Sequence, residues 1–403
     1  MRRRDMLTGL AAGALALPAA AAERQYWMSP QLPDGTRAEA RVRSLPGKQP
    51  LICLSEQPPN YEAPIGAFQS AITQNSEFFV RYHLAGIPSM NDLGTWSVAV
   101  GGDASEREIT LGLQDLSRNF PQSEIAAVCQ CSGNRRGLSD PHVAGVEWGY
   151  GAMGNAVWRG PRLRDVLASA GVKPDAVEVW LGGADGPVLA ATPDFQKSLP
   201  LHKAMADEVI IATHMNGQAL PHLNGFPARV VVPGWTATYW MKHVTAIQLS
   251  SRPLANFWME KAYRVPAGMF PVEQPFPSQD HRESWPITEM VVNSVIGSPI
   301  EGATVPRSGF AIEGVAWDRG HGIKQVEVSV DGGRLWERAA LGDDLGRFAF
   351  RAFGFQARGL PPGPCVVSAR ATSNAGEAQS ERLRWNPAGY HNNMPQQITV
   401  TVA

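Results

Sequence analysis

Residues 125–136 read IAAVCQCSGNRR, which places a short apolar run directly before a polar turn that carries cysteine and arginine. The four apolar residues 125–128 predict a buried strand that ends near Cys129 and Cys131. A Gly-Asn pair then predicts a turn, and two arginines follow it. Nearby guanidinium groups favour the thiolate form of cysteine, which ligates soft metals. The stretch therefore predicts a chemical site at the mouth of a buried strand.

The pattern alone does not separate the two cysteines of this stretch. Cys129 and Cys131 are two residues apart, so both side chains face the same side of a strand. A buried apolar cysteine beside surface arginines is the structural alternative for either of them. With Cys53 and Cys365 included, the cysteine spacing fits neither a disulfide scaffold, an iron–sulfur cluster nor a covalently attached haem.

The composition indicates a globular protein rich in strands and ordered loops. The 403 residues are enough for two domains, and 40 glycines and 32 prolines favour strands and turns over long helices. The formal net charge of -1 gives no reason to expect a nucleic-acid partner. No segment after residue 22 has the apolar length that predicts a membrane span.

The first residues resemble an export signal. Three arginines at residues 2–4 precede an apolar stretch rich in alanine and glycine, with small residues at a cleavage site near Ala22. Residues 1–22 are interpreted as a twin-arginine signal peptide, which predicts a periplasmic protein. A general secretory signal is the alternative and predicts the same location. Because the twin-arginine route carries folded proteins, it also favours a cofactor that is inserted before export.

The rest of the chain divides into three predicted parts. Residues 23–75 are Pro-rich and are predicted to form an extended N-terminal strap. Residues 76–284 alternate short apolar segments with Gly- and Asn-rich loops, which predicts an α+β domain rich in strands. The elements predicted there are strands at 177–181 and 228–234 and a helix at 162–170 that stops at Gly171.

The third part, residues 285–403, has the pattern of a β-sandwich. Residues 325–330 alternate strictly, residues 331–333 predict a turn, and residues 334–336 predict the returning strand of a hairpin. Further strands are predicted at 310–317 and 366–372. Several short strands at this spacing predict an immunoglobulin-like sandwich.

Five segments together resemble the sulfite oxidase family, and within it the bacterial periplasmic molybdenum sulfite dehydrogenases. They occur in the family's order, and such an ordered set is far more specific than any single match. The segments are RYHL at 81–84, CSGNRR at 131–136, GPRLRDVL at 160–167, MNGQALP at 215–221 and GFPARVVVPG at 225–234.

The resemblance implies a mixed, β-rich molybdopterin-binding sulfite oxidase fold followed by an immunoglobulin-like dimerisation domain. It implies one molybdenum–molybdopterin cofactor, with Cys131 as the thiolate ligand of the metal. Cys129 falls outside the motif and is interpreted as structural. No segment resembles the haem domain of the animal members, so we expect no haem on this chain.

The resemblance also implies which side chains surround the substrate and the cofactor. Arginine suits anion sites because its guanidinium group is always charged and offers several donors. The implied substrate-site residues are Arg81, Arg136, Tyr263, Trp148 and Arg351. The implied contacts to the pterin and its phosphate are His83, Asp185, Asn224, Arg229 and Lys242. Asn224 stands where many animal members have histidine, so we expect the phosphate contacts to differ in detail.

The implied activity is oxidation of sulfite to sulfate, with electrons passed to a periplasmic c-type cytochrome as subunit or transient partner. Whether the C-terminal domain forms a homodimer or leaves its surface for a cytochrome stays open. The nearest alternative is the sulfane dehydrogenase catalytic subunit of a thiosulfate-oxidising system, and a sulfoxide reductase is more distant. A cofactor-free periplasmic binding protein is the alternative from a different class, and the presence together of Cys131, Arg81, Arg136 and Tyr263 argues against it.

Overall fold

A computed structural model describes residues 27–28, 41–89, 95–266 and 278–403. The predicted signal peptide, residues 1–22, lies outside these ranges. Within them, no helix combines the length and the apolar character needed to cross a membrane.

The strands of the N-terminal and central parts are short, and few helices interrupt them. The strands are β1 (Trp27–Met28), β2 (Arg41–Arg43), β3 (Leu51–Ser55), β4 (Asn60–Glu62), β5 (Val80–Arg81), β6 (Ser97–Gly101), β7 (Ile109–Gly112), β8 (Gln122–Gln130), β9 (Ser139–Asp140), β10 (Met153–Pro161), β11 (Glu178–Gly183), β12 (Gln196–Pro200), β13 (Ile210–Ala212), β14 (His214–Met215), β15 (Gln218–Ala219), β16 (Arg229–Val231), β17 (Val244–Ser250), β18 (Arg264–Pro266) and β19 (Ser284–Pro286). The α-helices are α1 (Leu113–Arg118), α2 (Leu163–Ala170), α3 (Leu201–Ala204) and α4 (Phe257–Glu260), with 3₁₀ turns at Ile65–Gln69, Arg136–Leu138, His222–Asn224 and Ala237–Tyr239.

Two sheets form the centre of the catalytic part. One has the order β15-β14-β10-β8 and the other the order β12-β11-β17-β6-β7. Strand β8 pairs antiparallel with β10 along its whole length, from Met153 opposite Gln130 to Pro161 opposite Gln122. The predicted strand at 125–128 is therefore confirmed, and Cys131 is the first residue beyond it.

Other predicted elements of this part are also confirmed. Helix α2 ends at Gly171, whose φ of 76° is left-handed and suits a residue without a Cβ. The predicted strand at 177–181 overlaps β11, which extends two residues further, and the predicted strand at 228–234 contains β16. The described part of the 23–75 region contains β1 to β4 and a 3₁₀ turn, and β2, β3 and β4 form a small sheet with β5, which carries Arg81.

The C-terminal part is a β-sandwich. Its strands are β20 (Asn293–Ser298), β21 (Thr304–Val305), β22 (Phe310–Trp317), β23 (Ile323–Ser329), β24 (Glu337–Arg338), β25 (Ala340–Leu341), β26 (Arg351–Ala357), β27 (Gly363–Ser373) and β28 (Gln396–Val402). They form one sheet of order β20-β22-β26-β25 and a second of order β21-β28-β27-β23-β24. The apolar faces of the two sheets enclose one core, which includes Ile312, Val326 and Phe353.

The hairpin after β23 differs from the prediction. The returning strand is β24 at Glu337–Arg338 and not residues 334–336, which belong to the turn. The Asp331 carboxylate accepts hydrogen bonds from the backbone N–H groups of Arg334 and Leu335, at 2.9 and 3.0 Å. The aspartate thus extends the turn by satisfying backbone donors that a strand would have paired.

The sandwich packs directly on the strand that leads to Cys131. Val128 donates its backbone N–H to the carbonyl of Phe348 at 2.9 Å. The indole N–H of Trp317 donates to the Gln130 side chain at 2.6 Å, and both groups are buried. Phe68, Val128, Met153, Trp317 and Phe350 belong to one apolar cluster that joins the two parts. The position of the site therefore depends on both domains.

Candidate active site

A cleft with about 620 Å³ of empty space opens at the end of β8. Loops from β5, β8, β11 and β16 and the segment before β18 form its walls. It brings together eight of the predicted site residues, namely Arg81, His83, Cys131, Asp185, Asn224, Arg229, Lys242 and Tyr263.

The turn after β8 presents Cys131 to this cleft. Cys131 is 7% exposed, and its backbone N–H donates to the carbonyl of Ala152 at 2.9 Å. Asn134 closes the turn, because its backbone N–H donates to the Cys131 carbonyl at 3.0 Å and its side chain accepts from Ala152 N–H at 3.0 Å. Cys129 also lines the cleft, as expected for a residue two positions earlier on one strand.

One end of the cleft carries buried positive charge. Arg229 is 4% exposed and donates to the carbonyls of Asn224 at 2.9 Å and Trp240 at 3.2 Å. Burial lowers the pKa of Arg229, because it removes water from the charged guanidinium group. Lys242 donates to the Arg81 carbonyl at 2.7 Å, and burial lowers its pKa well below the usual value.

The only carboxylate among the residues that line this cleft is Asp185. Burial raises the pKa of Asp185, while Lys242 acts in the opposite direction. One carboxylate cannot balance Arg81 and Arg229 together, and Lys242 would add a third positive charge once an anion is bound beside it. An excess of buried cations is unfavourable unless an anion joins them, so the cleft is suited to an anionic ligand.

Unused hydrogen-bonding groups point to the same conclusion. The Nε atoms of Arg81 and Arg229 and the hydroxyl of Ser132 are buried, and none of the described residues offers them a partner within hydrogen-bonding distance. Buried polar atoms of this kind are rare unless a ligand or water satisfies them. The donor set therefore fits a phosphate-bearing cofactor that also meets the Cys131 thiol.

Asn224 is fixed from behind by a lysine that the sequence analysis did not single out. Lys48 is 9% exposed and donates to the Asn224 side chain at 2.5 Å and to the carbonyls of Asn75 and Phe78 at 2.6 and 3.0 Å. Burial lowers the pKa of Lys48 to about 7. No local pattern marks Lys48, because its partners lie far along the chain.

The other end of the cleft holds a compact polar cluster. The Tyr263 hydroxyl lies 2.5 Å from Nε2 of His83 and 3.3 Å from a guanidinium nitrogen of Arg81. Arg81 also donates to the Asn60 side chain at 3.1 Å. Although burial disfavours the charged guanidinium group, the neighbouring Tyr263 and Cys131 raise the pKa of Arg81. Arg81 is therefore a permanent cation beside the thiol.

His83 is held neutral and rigid in this cluster. Its ring stacks on Phe195 with 3.6 Å between ring centroids, and Trp258 contacts it edge-on at 5.6 Å. Burial lowers the pKa of His83 well below 6.5, and the nearby cations Arg81 and Lys242 add to the effect. A neutral imidazole can accept a hydrogen bond from the Tyr263 hydroxyl.

Two predicted substrate-site residues lie behind the wall of the cleft. The Nε of Arg136 donates to the Ala388 carbonyl at 2.7 Å, and its guanidinium group lies over the ring of Tyr390 at 5.4 Å. Trp148 is fully buried and packs edge-on against Phe79 at 6.5 Å. Neither is among the residues that line the cleft.

The structure does not bring Arg351 to the cleft. Arg351 begins β26 of the sandwich, opposite Ala316, and forms an ion pair with Asp344 at 3.4 Å. The family resemblance implied a substrate-site role for Arg351, although the sequence spacing around it is loose. Strand pairing in the sandwich places its side chain beside Asp344 instead. Tyr390 of the C-terminal part stacks on Tyr263, a residue that lines the cleft. Sequence reasoning missed Tyr390 because it lies in a loop without periodic pattern.

Comparisons with known proteins agree with this geometry. Residues 84–258 match the family described as oxidoreductase molybdopterin binding domain, and residues 284–403 match the Mo-co oxidoreductase dimerisation domain. Mitochondrial sulfite oxidase from Rattus norvegicus is 35% identical over 305 residues, which cover 73% of this chain and 54% of the rat protein. Sulfite oxidase from Arabidopsis thaliana is 29% identical over 326 residues, covering 78% of this chain and 81% of the plant protein.

A solved structure is similar over almost the whole length. The sulfane dehydrogenase SoxCD from Paracoccus pantotrophus superimposes with a TM-score of 0.73 at 25% identity and covers 93% of each chain. The matched segment is about half the length of the rat and human mitochondrial sulfite oxidases, at 54% of each. Taken with both domain matches, these similarities mean that the chain belongs to the sulfite oxidase family of molybdopterin-binding oxidoreductases.

Proposed function

We propose that this protein oxidises sulfite to sulfate and passes the two electrons, one at a time, to a periplasmic c-type cytochrome. The cluster of Arg81, His83 and Tyr263 beside the Cys131 thiol carries this proposal. The reaction joins sulfite and one oxygen atom from water, and it releases two protons and two electrons. Two molecules of ferricytochrome each accept one electron.

Different residues of the cleft would bind different parts of the cofactor. Cys131 would ligate molybdenum, while Arg229, Lys242 and Asn224 would bind the phosphate and the pterin. When bound, the molybdenum cofactor supplies oxygen transfer and two-electron redox chemistry. The protein supplies position and charge.

The substrate end of the cleft suits a small sulfur oxoanion. Arg81 offers a fixed positive charge and hydrogen-bond donors to a doubly charged anion. His83, held neutral by burial, can accept the hydrogen bond of the Tyr263 hydroxyl through Nε2 when its proton is on Nδ1. That hydrogen bond fixes the hydroxyl oxygen of Tyr263, which stays free to accept from Arg81 or to contact the substrate.

The first test is metal content together with turnover of the protein purified from the periplasm. We expect about one molybdenum per chain and rapid sulfite-dependent reduction of cytochrome c. Bound molybdenum without oxidation of sulfite would contradict the proposal that sulfite is the substrate. Absence of molybdenum in protein from a host that makes the cofactor would contradict the proposal of an enzyme and favour a binding protein.

A second candidate function is oxidation of carrier-bound sulfane sulfur. The similarity to SoxCD over 93% of both chains favours it. The 35% identity to sulfite oxidases favours sulfite instead. Purified enzyme offered free sulfite and, separately, a protein-bound persulfide discriminates between them, because each candidate predicts turnover of only one substrate.

The location and the assembly are separate parts of the proposal. Changing the arginines at residues 2–4 to lysine should retain the protein in the cytoplasm if the twin-arginine route is used. The match of residues 284–403 to a dimerisation domain supports a homodimer through the sandwich. Sedimentation of the purified protein, alone and with the cytochrome, separates a homodimer from a complex of the two proteins.

A further inference from the structure

Tyr390 connects the C-terminal domain to the cleft. It lies in the segment between β27 and β28 and is 4% exposed. Its ring stacks parallel to that of Tyr263, with 5.9 Å between centroids and 8° between planes. Tyr263 is 8% exposed and has a left-handed backbone, with φ of 56°. A tyrosine in this region of φ stores strain and needs its surroundings to hold it.

The ring of Tyr390 also contacts the side chain of Arg136. The guanidinium group lies over Tyr390 at 5.4 Å, and Nε donates to the carbonyl of Ala388 at 2.7 Å. A Cβ on Gly133, Gly145 or Gly389 would come within 2.6–2.7 Å of Arg136 side-chain atoms. The three glycines therefore make room for the Arg136 side chain between the Cys131 turn and the C-terminal domain.

Short hydrogen bonds fix the segment that carries Tyr390. The Asn386 amide donates to the Tyr390 carbonyl at 2.7 Å, and its oxygen accepts from the Tyr390 N–H at 3.1 Å. The Asn392 side chain donates to the Arg135 carbonyl at 3.2 Å, which ties the segment to the Cys131 turn. The ring thus has a defined position relative to both Tyr263 and Arg136.

We infer that Tyr390 is a positioning residue for the reaction, acting through Tyr263. Its ring holds Tyr263 in the strained backbone conformation that directs the hydroxyl to Arg81 and His83. The same ring also holds the guanidinium group of Arg136 in place behind the wall of the cleft. This inference rests on the proposed function for its substrate class, a small sulfur oxoanion. It makes the C-terminal domain part of the catalytic arrangement and not only a surface for assembly.

A double-mutant cycle tests whether Tyr390 acts through Tyr263. Tyr390→Leu removes the stacked ring, and we expect it to lower kcat/KM by about 30-fold, with most of the loss in kcat. If the effect passes through Tyr263, the double variant Tyr390→Leu/Tyr263→Phe should be within about threefold of Tyr263→Phe alone. Losses that multiply, or a Tyr390→Leu variant as active as the wild type, would overturn the inference.

Matched variants separate positioning from general stability. Tyr390→Phe keeps the ring and should stay within about threefold of wild-type kcat/KM. Phe353→Leu makes a comparable change in the sandwich core, away from the stack, and should lower the melting temperature without lowering kcat/KM per bound molybdenum. If Tyr390→Leu fails to fold or to retain molybdenum, Tyr390→Met, which better fills the volume, takes its place in the cycle.

Failure of the proposed function remains distinguishable from failure of the inference. If the wild type oxidises a different sulfur substrate, the cycle is run on that substrate. If it oxidises none, the dissociation constant for sulfate, measured by calorimetry on the molybdenum-loaded protein, replaces turnover. Tyr390→Leu should then weaken sulfate binding by about tenfold and Phe353→Leu should leave it unchanged, whereas equal binding by all three proteins would overturn the inference.

Discussion

The hydroxyl of Tyr263 lies 2.5 Å from Nε2 of His83, at the end of the cleft where Arg81 also reaches. Tyr263→Phe removes this hydroxyl and keeps the ring. We expect kcat for sulfite to fall by about 10–100-fold with a smaller change in KM, since the lost contact acts mainly on the reacting anion. Steady-state kinetics of the molybdenum-loaded variant measures this.

Tyr239→Phe is the matched control for that variant. Tyr239 is 1% exposed, and its buried hydroxyl has no hydrogen-bond partner in the part of the chain that the structure describes. Removal of this hydroxyl should leave kcat within about twofold of the wild-type value, because no hydrogen bond is lost. An equal loss of activity in both variants would assign the effect of Tyr263→Phe to altered packing.

Arg81→Met should raise KM for sulfite by about 100-fold, because a charge-assisted contact to the anion contributes about 1.5–3 kcal/mol. Arg81→Lys should recover part of the loss, since it restores the charge without the planar group. Arg282→Met, at a side chain that is 87% exposed, controls for the change in net charge. An unchanged KM in Arg81→Met would contradict the role of Arg81 in substrate binding.

The two cysteines of the cleft should respond differently to substitution. Cys131→Ser should abolish sulfite oxidation, because a hydroxyl is a poor ligand for a soft metal site. Cys129→Ser should keep both metal and activity, since within the described residues the Cys129 thiol has a single long polar contact, at 3.7 Å from Arg229. Molybdenum analysis and turnover measurements on both variants test this difference. Loss of activity in the Cys129 variant would contradict the assignment of Cys131 alone as the metal ligand.

The sequence was informative where a local pattern determines the structure. The apolar run before Cys131, the glycine that follows α2 and the alternation along β23 each follow from periodicity or turn chemistry. The hairpin was extended because Asp331 bonds two backbone donors, an effect that strand alternation does not reveal. The resemblance to a family supplied the eight residues that meet in the cleft.

Contacts between distant segments could not be predicted in this way. Lys48 reaches Asn224 across 176 positions, and Tyr390 stacks on Tyr263 from the other domain. Arg351 is the opposite case. The family resemblance implied a place for it at the substrate site, but its position in the sheet leads it to pair with Asp344. Such placements depend on how the domains pack, and packing is absent from any single stretch of sequence.

Acid should destabilise the protein through a buried histidine. His243 is fully buried, donates from Nδ1 to the Phe226 carbonyl at 2.6 Å and accepts from the Tyr82 hydroxyl at 2.7 Å. Burial lowers the pKa of His243 to about 3. The unfolded chain binds a proton below about pH 6.5 and the folded one does not, so stability falls as pH falls, by about 1.4 kcal/mol per unit from this group.

Urea unfolding at pH 7.0 and pH 5.5 measures that dependence. His243→Gln should be less stable at pH 7.0, because it loses a satisfied buried contact, and should lose less stability on acidification. The same pH dependence in wild type and variant would assign the acid sensitivity to other groups.

Arg229 gives the sharpest test of the anionic cofactor site. Its guanidinium group is buried with an unused Nε, and a bound phosphate would supply both the missing charge and the missing acceptor. Arg229→Met should therefore lower the molybdenum content by about tenfold or more, the equivalent of one charge-assisted hydrogen bond lost from binding. Without cofactor, the same substitution removes an unfavourable buried charge along with two carbonyl contacts, so the stability of the metal-free protein should change by only about 1 kcal/mol. Metal analysis and urea unfolding of protein from hosts with and without cofactor synthesis measure the two effects, and a large loss of stability in the metal-free variant would make Arg229 a structural residue.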